Sequence, residues 1–170
     1  MSGAGTDRKV RVQRASLTVY GAMTLLGIVE AATIKSVADT AAALTIVIVT
    51  GSVSIVIAHA WAAVIAHRVV DGHRFSRDEV VAELWFAASF LIATGIALLA
   101  ILASLPFGDF YTTVQFTLIA MLALLFVVGV AGALRSGAGW TRALGWGLLD
   151  VGVGVLIVAL KDLLTLIGKL

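Results

Sequence analysis

One stretch of 26 residues, from Ala41 to Ala66, contains no Asp, Glu, Lys or Arg. A helix of this length is roughly 39 Å long, which exceeds the ~30 Å hydrocarbon core of a bilayer. Leu84 to Leu105 is a second stretch without a charged residue. In the whole chain 61% of residues are hydrophobic and 13% are charged, whereas soluble domains are about 45–50% apolar and about 25% charged. A single small core cannot bury so much apolar surface, so the sequence predicts a protein of the lipid bilayer.

The apolar stretches divide the chain into five segments that are long enough to cross a membrane. We therefore predict an all-α fold, in which the chain is a polytopic integral membrane protein with five transmembrane helices. A basic cytoplasmic tail, residues 1–14, precedes a single transmembrane domain, residues 15–170. The predicted spans are residues 15–34, 41–66, 84–105, 110–134 and 143–160.

Basic residues are distributed unevenly among the connections between these spans. Nine of the 12 Lys and Arg residues fall in the tail, in the turn at residues 67–79 and in the turn at residues 135–142. These three regions lie on the same side of the membrane if the spans alternate in direction. Because short cytoplasmic loops are enriched in Lys and Arg, the N-terminus is predicted to be cytoplasmic and the C-terminus outside, in a plasma membrane of the bacterial type.

Three ionisable residues lie within the predicted spans: Glu30, His59 and Asp150. From the span midpoints and the helical rise, Asp150 lies within about 2 Å of the midplane, Glu30 roughly 8 Å outward and His59 roughly 8 Å inward. These depths exclude a single ion site, because metal–ligand distances are about 2–2.5 Å. The three side chains can instead form a proton or cation pathway that is crossed in steps. The alternative is that each side chain reaches the interface or hydrogen-bonds a neighbouring helix.

The turn after the second span carries another group of ionisable residues. His67 and Asp71 are four residues apart, and so are Glu79 and Glu83. On helical segments each pair shares a face. Two such pairs on either side of a turn can form a nitrogen and oxygen site for a divalent cation. The alternative is a solvated turn with ordinary charges at helix ends.

The sequence contains no recognisable set of catalytic residues. It contains no cysteine, which excludes disulfides, thiolate metal sites and cysteine nucleophiles. It has no nucleophilic triad, phosphate loop or dinucleotide fingerprint, and no catalytic pair lies at a shared depth. We therefore expect no enzyme activity, no bound cofactor and no nucleic-acid partner, and a divalent metal ion only as a transported substrate.

Three features of the chain resemble the vacuolar iron transporter family. The first is the topology of five spans with a cytoplasmic N-terminus. The second is the small-residue stretch Gly51 to His59, which is similar to the family's Ser-Met-Ala-x-Gly-Glu stretch, with Ile55 in place of methionine and His59 in place of glutamate. The third is the glycine-rich last helix after a basic turn, Arg142 to Leu160. The resemblance implies proton-coupled export of a divalent metal, with the family's cytosolic metal-binding segment reduced to the turn between spans two and three.

We predict a small membrane transporter that moves a proton or a divalent metal cation such as iron or manganese. Asp150 and His59 are the predicted pathway residues, and Glu30 lies at the outer mouth. The alternative is a non-transporting scaffold or a subunit of a membrane complex, whose small-residue faces bind a partner. Five short helices bury few interior positions, so we also expect a homodimer.

Overall fold

The computed structural model describes residues 3–34, 37–71 and 77–167. Within these ranges it describes the side chains except those of residues 3–14, 67, 68, 70, 71, 77–79, 82, 86 and 164–167. Every described element of secondary structure is helical, which confirms the all-α prediction. The α-helices are α1 (Gly3–Ile34), α2 (Ala41–Asp71), α3 (Arg77–Ala87), α4 (Leu91–Ser104), α5 (Phe110–Arg135) and α6 (Trp140–Ile167).

Five stretches of these helices have the length and the apolar composition that crossing a membrane requires. They are Ala15–Ile34, Ala41–Ala66, Glu83–Phe107, Phe110–Arg135 and Trp140–Leu163. Each end lies within three residues of the predicted one, because long apolar runs can be located from composition alone. The backbone of the basic tail is part of α1, which begins at Gly3.

The central helix of the bundle is α1. It packs against α2, α4, α5 and α6, and 50% of its spanning window is buried, compared with 17% for the windows in α2, α5 and α6. Leu25, Leu26 and Val29 of α1 are fully buried. They share one apolar core with residues of α2, α4 and α5, among them Leu44 and Met121.

The third spanning stretch is not a continuous α-helix. A 3₁₀ helix, Ala88–Phe90, separates α3 from α4, and Ser89 and Phe90 are buried there. Thr18 Oγ1 of α1 donates a hydrogen bond to the Ser89 carbonyl oxygen at 3.4 Å. Gly21 allows this close approach, because an added Cβ would lie 3.2 Å from the Phe90 ring and 3.3 Å from Ala93 Cβ. The interruption therefore lies at a close contact between α1 and the third span.

Hydroxyl side chains connect the helices inside the bundle. Thr94 Oγ1 of α4 donates to Ser52 Oγ of α2 at 2.8 Å. Ser104 Oγ donates to Thr113 Oγ1 at 2.9 Å, which joins the end of α4 to the start of α5. All four residues are buried. Hydrogen bonds of this kind hold otherwise apolar helices together in a membrane.

Two glycines with positive φ form the tight turns around α5. Gly108 (φ 77°) ends the 3₁₀ helix Leu105–Phe107, which follows α4. Gly137 (φ 86°) lies between α5 and α6. Asp109 is the N-cap of α5, and its Oδ1 accepts a hydrogen bond from the Thr112 N–H at 2.6 Å. Turns this short make α4, α5 and α6 successive antiparallel neighbours.

Candidate functional site

Asp150 lies in a groove between α5 and α6. The groove has a volume of about 360 Å³ and opens to the outside of the bundle. It extends from Ser136, just after α5, to Asp150 in the middle of the spanning stretch of α6. Gly129, Gly132 and Trp146 also line it. The groove thus extends from one end of the bundle to the middle of the spanning stretch, where the sequence predicts Asp150 to lie.

Glycines on facing helices place the Asp150 carboxyl group. A Cβ added at Gly129 would overlap Asp150 Oδ2 and lie 3.0 Å from the Cα of Gly147. A Cβ added at Gly147 would lie 2.6 Å from Val130 Cγ2. Small residues at such a contact let two helix backbones approach closely. The carboxyl group therefore packs directly on the backbone of α5, where no other residue type leaves room for it.

The Asp150 carboxyl group is half-buried. Among the described residues, no side chain or backbone group hydrogen-bonds to it or forms an ion pair with it. An ionised side chain at the centre of a bilayer costs at least about 2.5–3.5 kcal/mol unless it is paired, hydrated or neutralised. This position can therefore take up a proton, a small cation or a hydrogen-bond donor from another helix.

His59 lies in a different groove, between α1 and α2, which we call the α1–α2 groove. Its volume is about 410 Å³, and its lining includes Ser16 and Tyr20 of α1 and Ile55 and His59 of α2. Behind His59, the space that Phe90 borders is too narrow for a water molecule. The Tyr20 and Phe90 rings pack edge to face there, with centroids 6.2 Å apart. The α1–α2 groove is therefore open outward and closed toward the interior of the bundle.

Glu30 lies in a third place, where α1 packs against α6 near its predicted outer end. Lys161 Nζ of α6 donates a hydrogen bond to the Gly27 carbonyl oxygen. Glu30 interacts electrostatically with both Asp162 and Lys161. Two carboxyl groups and one ammonium group thus form a mixed-charge cluster. This cluster was not predicted from the sequence, because the predicted fifth span ends at residue 160, one residue before Lys161.

The three predicted pathway residues are not brought together. Asp150 faces α5, His59 lies beside α1 in the α1–α2 groove, and Glu30 lies between α1 and α6. The groove that Asp150 lines is separate from the α1–α2 groove that His59 lines, and Glu30 lines neither of them. A pathway through all three would need water or helix movement to connect these places.

The predicted cytoplasmic metal site lies mostly outside the described side chains. His67 and Asp71 belong to the last turns of α2 and Glu79 to the first turn of α3, but the side chains of all three are outside the described part. Glu83 is described and is half-buried. In the part of the chain that the structure describes, no three His, Asp or Glu side chains are close enough to share a metal ion.

A largely polar stripe on α1 is a further feature that was not predicted from the sequence. Its members recur three and four positions apart: Ser16, Tyr20, Met23, Gly27, Glu30 and Thr33. This spacing places them on one face of a helix. Gly27 is buried and Met23 packs against the apolar core, whereas Ser16 and Tyr20 are exposed. His59 of α2 lies beside Ser16 and Tyr20 at the start of the stripe. Farther along the stripe, Lys161 of α6 donates a hydrogen bond to the Gly27 carbonyl oxygen. The spacing of these residues in the sequence, three and four positions apart, was the only signal that could have predicted the stripe.

No family model matches the chain, and no curated protein or solved structure matches it either. The resemblance to the vacuolar iron transporters therefore rests on the sequence features alone. Support for a function comes from the geometry of the chain itself.

Proposed function

We propose that the chain is a small integral membrane transporter with Asp150 as its ion-binding group. The observation that carries the proposal is the Asp150 carboxyl group, which lacks a partner among the described residues and faces a groove of about 360 Å³ in mid-span. Ionisable residues inside membrane helices are typical of ion pathways and proton relays. With the N-terminus in the cytoplasm, the Ser136 end of this groove is its cytoplasmic entrance.

The moving species is a proton or a divalent cation such as Fe²⁺ or Mn²⁺. A proton needs only the Asp150 carboxyl group, whereas a divalent cation needs several oxygen or nitrogen ligands. The other side-chain oxygen lining the groove is that of Ser136, which donates a hydrogen bond to the Ala133 carbonyl at 2.7 Å. Water would have to supply the remaining ligands of a metal. The groove therefore favours the proton as the primary species, with metal movement coupled to it.

Helix α6 carries both Asp150 and Lys161, the two charged residues that contact neighbouring helices in the proposed transporter. Asp150 faces α5 in the inner half, and Lys161 contacts α1 in the outer half of the same helix. A rotation or shift of α6 changes both contacts together. Such a movement is a simple way to give Asp150 access to either side, because packed helices switch between discrete arrangements.

Ion flux into proteoliposomes that contain the purified protein tests this proposal. Fe²⁺, Mn²⁺ and a pH gradient are compared for the wild type, for Asp150→Asn and for Asp109→Asn, which removes a carboxyl group outside the spans. We expect flux in the wild type and in Asp109→Asn and none in Asp150→Asn. Undiminished flux in a correctly folded Asp150→Asn protein would remove Asp150 from the pathway.

A second candidate function, a scaffold or subunit of a membrane complex, is favoured by the lateral opening of the same groove. Gly132 has nothing within 4 Å of an added Cβ, and Trp146 is 53% exposed. Both residues line the groove, so a helix of a partner, including a second copy in a homodimer, can pack there and donate a hydrogen bond to Asp150. In that case no ion moves, and Asp150→Asn lowers the detergent-corrected mass of the complex.

A further inference from the structure

Three hydrogen-bonding side chains converge on the α1–α2 groove. Ser16, Tyr20 and His59 line it together with the apolar Leu17 and Ile55, and its volume is about 410 Å³. All three polar side chains are exposed. No hydrogen bond from another described residue occupies them. The groove therefore offers polar groups and an apolar surface to the same ligand.

The groove lies at the depth of one membrane interface. Ser16 is the second residue of the spanning stretch that begins at Ala15, and His59 lies seven residues before the end of the next one at Ala66. By the helical rise, the polar side chains lie within roughly 10 Å of the membrane boundary. This is the zone between the glycerol backbone and the upper acyl chains of a phospholipid.

The backbone of α1 places one basic residue, Lys9, at the register of Ser16 and toward the headgroups. Lys9 lies seven residues, or two turns, before Ser16 and therefore has the same register on the helix. It lies roughly 10 Å farther from the membrane centre. Arg8, Arg11 and Arg14 belong to the same short segment. A basic segment at a cytoplasmic membrane surface attracts anionic lipids.

A second copy of the chain is a poorer occupant of this groove than a lipid. The backbone N–H and C=O groups of a helix are already hydrogen-bonded to one another. A packed helix therefore offers few free acceptors to Ser16, Tyr20 and His59. A phospholipid offers ester and phosphate oxygens for these donors and an acyl chain for Leu17 and Ile55.

We infer that the α1–α2 groove binds one anionic phospholipid of the cytoplasmic leaflet. The acyl chain lies over Leu17 and Ile55, the ester oxygens accept hydrogen bonds from Ser16, Tyr20 and His59, and the phosphate lies on the side of Lys9. The wall at Phe90 keeps the lipid at the surface of the bundle. This inference rests on membrane insertion with a cytoplasmic N-terminus and does not depend on ion transport.

Native mass spectrometry in mild detergent tests the inference, with phosphatidylglycerol and phosphatidylcholine added at equal concentration. We expect the wild type to retain one phosphatidylglycerol. Tyr20→Phe and His59→Leu should each weaken its binding about two- to tenfold, the change that one net hydrogen bond produces. Lys9→Gln should reduce the preference for phosphatidylglycerol over phosphatidylcholine.

Tyr111→Phe is the matched control, because Tyr111 is an exposed tyrosine at the opposite end of the bundle, where its hydroxyl oxygen accepts a hydrogen bond from Gln115 Nε2 at 2.6 Å. Tyr111→Phe should leave lipid binding unchanged. An unaltered melting temperature of the Tyr20→Phe protein shows that this variant is correctly folded. Equal retention of both lipids, or unchanged retention in every groove variant, overturns the inference. A wild-type protein that is dimeric and lipid-free overturns it in favour of a second copy. Asp150→Asn should keep the lipid, so failure of the transport proposal is separable from failure of this one.

Discussion

Two glycines of α6 that are close in sequence differ in what a methyl group would meet. At Gly147 an added Cβ would lie 2.6 Å from Val130 Cγ2 and 2.9 Å from the Phe126 ring. At Gly145 it would meet nothing within 4 Å. We therefore predict that Gly147→Ala weakens the packing of α6 against α5 and that Gly145→Ala does not.

The expected magnitude follows from two opposing effects. Replacing a helical glycine by alanine stabilises the helix by up to about 1 kcal/mol, and both variants share this gain. Overpacking a close contact costs about 1–3 kcal/mol, and only Gly147→Ala incurs it. Val130 is β-branched and therefore stiff in a helix, so it does not yield easily. The free energies of unfolding of the two variants should differ by about 1–3 kcal/mol.

Reversible unfolding by sodium dodecyl sulfate in mixed micelles, followed by circular dichroism, measures this difference. Gly154 and Gly152 provide a second pair on the same helix. An added Cβ at Gly154 would lie 2.8 Å from Leu122 Cδ2, whereas at Gly152 it would meet nothing within 4 Å. The second difference should be smaller, because the end of a leucine side chain can move. Equal stability of Gly145→Ala and Gly147→Ala would refute the helix contact that forms the Asp150 groove.

Three further predictions concern other contacts. Lys161→Met removes the hydrogen bond to the α1 backbone and should lower the free energy of unfolding by about 1.5–3 kcal/mol in the same assay; an unchanged value would contradict the contact. A double-mutant cycle of Ser52→Ala and Thr94→Val should give a coupling of about 0.6 kcal/mol, and zero coupling would argue against their hydrogen bond. Hydrogen bonds from Thr112, first from its hydroxyl and then from its N–H, hold the pKa of Asp109 below its ordinary value. This stabilisation is present at neutral pH and is lost as the pH falls below about 4. The protection factor of the Thr112 amide, which is the ratio of its intrinsic to its observed hydrogen-exchange rate at the same pH, should then decrease, and a pH-independent protection factor would contradict this hydrogen bond.

The five helices that are long and apolar enough to span a membrane were predictable because long, mostly apolar runs are a property of composition and do not depend on packing. The interruption at Ala88–Phe90 was not predictable in this way. It contains neither glycine nor proline, the residues that usually mark a break. It lies where Gly21 and Thr18 of α1 contact the third span. Those contacts join residues about 70 positions apart, which no local pattern reveals.

The candidate site was predictable only in part, and for a geometric reason. An acid among apolar residues identified Asp150, and the helical rise gave its depth. Depth along an axis does not give rotation about that axis. The close contact of Gly129 and Gly147 turns Asp150 toward α5, away from the α1–α2 groove that contains His59. The separation of the pathway residues therefore became visible only in three dimensions.

The central position of α1 has a consequence for biosynthesis. Along the chain, α1 precedes every helix that it packs against, and its Gly27 carbonyl accepts a hydrogen bond from Lys161, 134 residues later. In the proposed membrane protein, a nascent α1 therefore enters the bilayer before its neighbours exist. Leu25 and Leu26 are compatible with lipid, but Lys161, the described cation that interacts with Glu30, is added only when α6 emerges. A chain released before α6 would thus display Glu30 without Lys161, a difference by which quality-control proteases can distinguish unfinished molecules from finished ones.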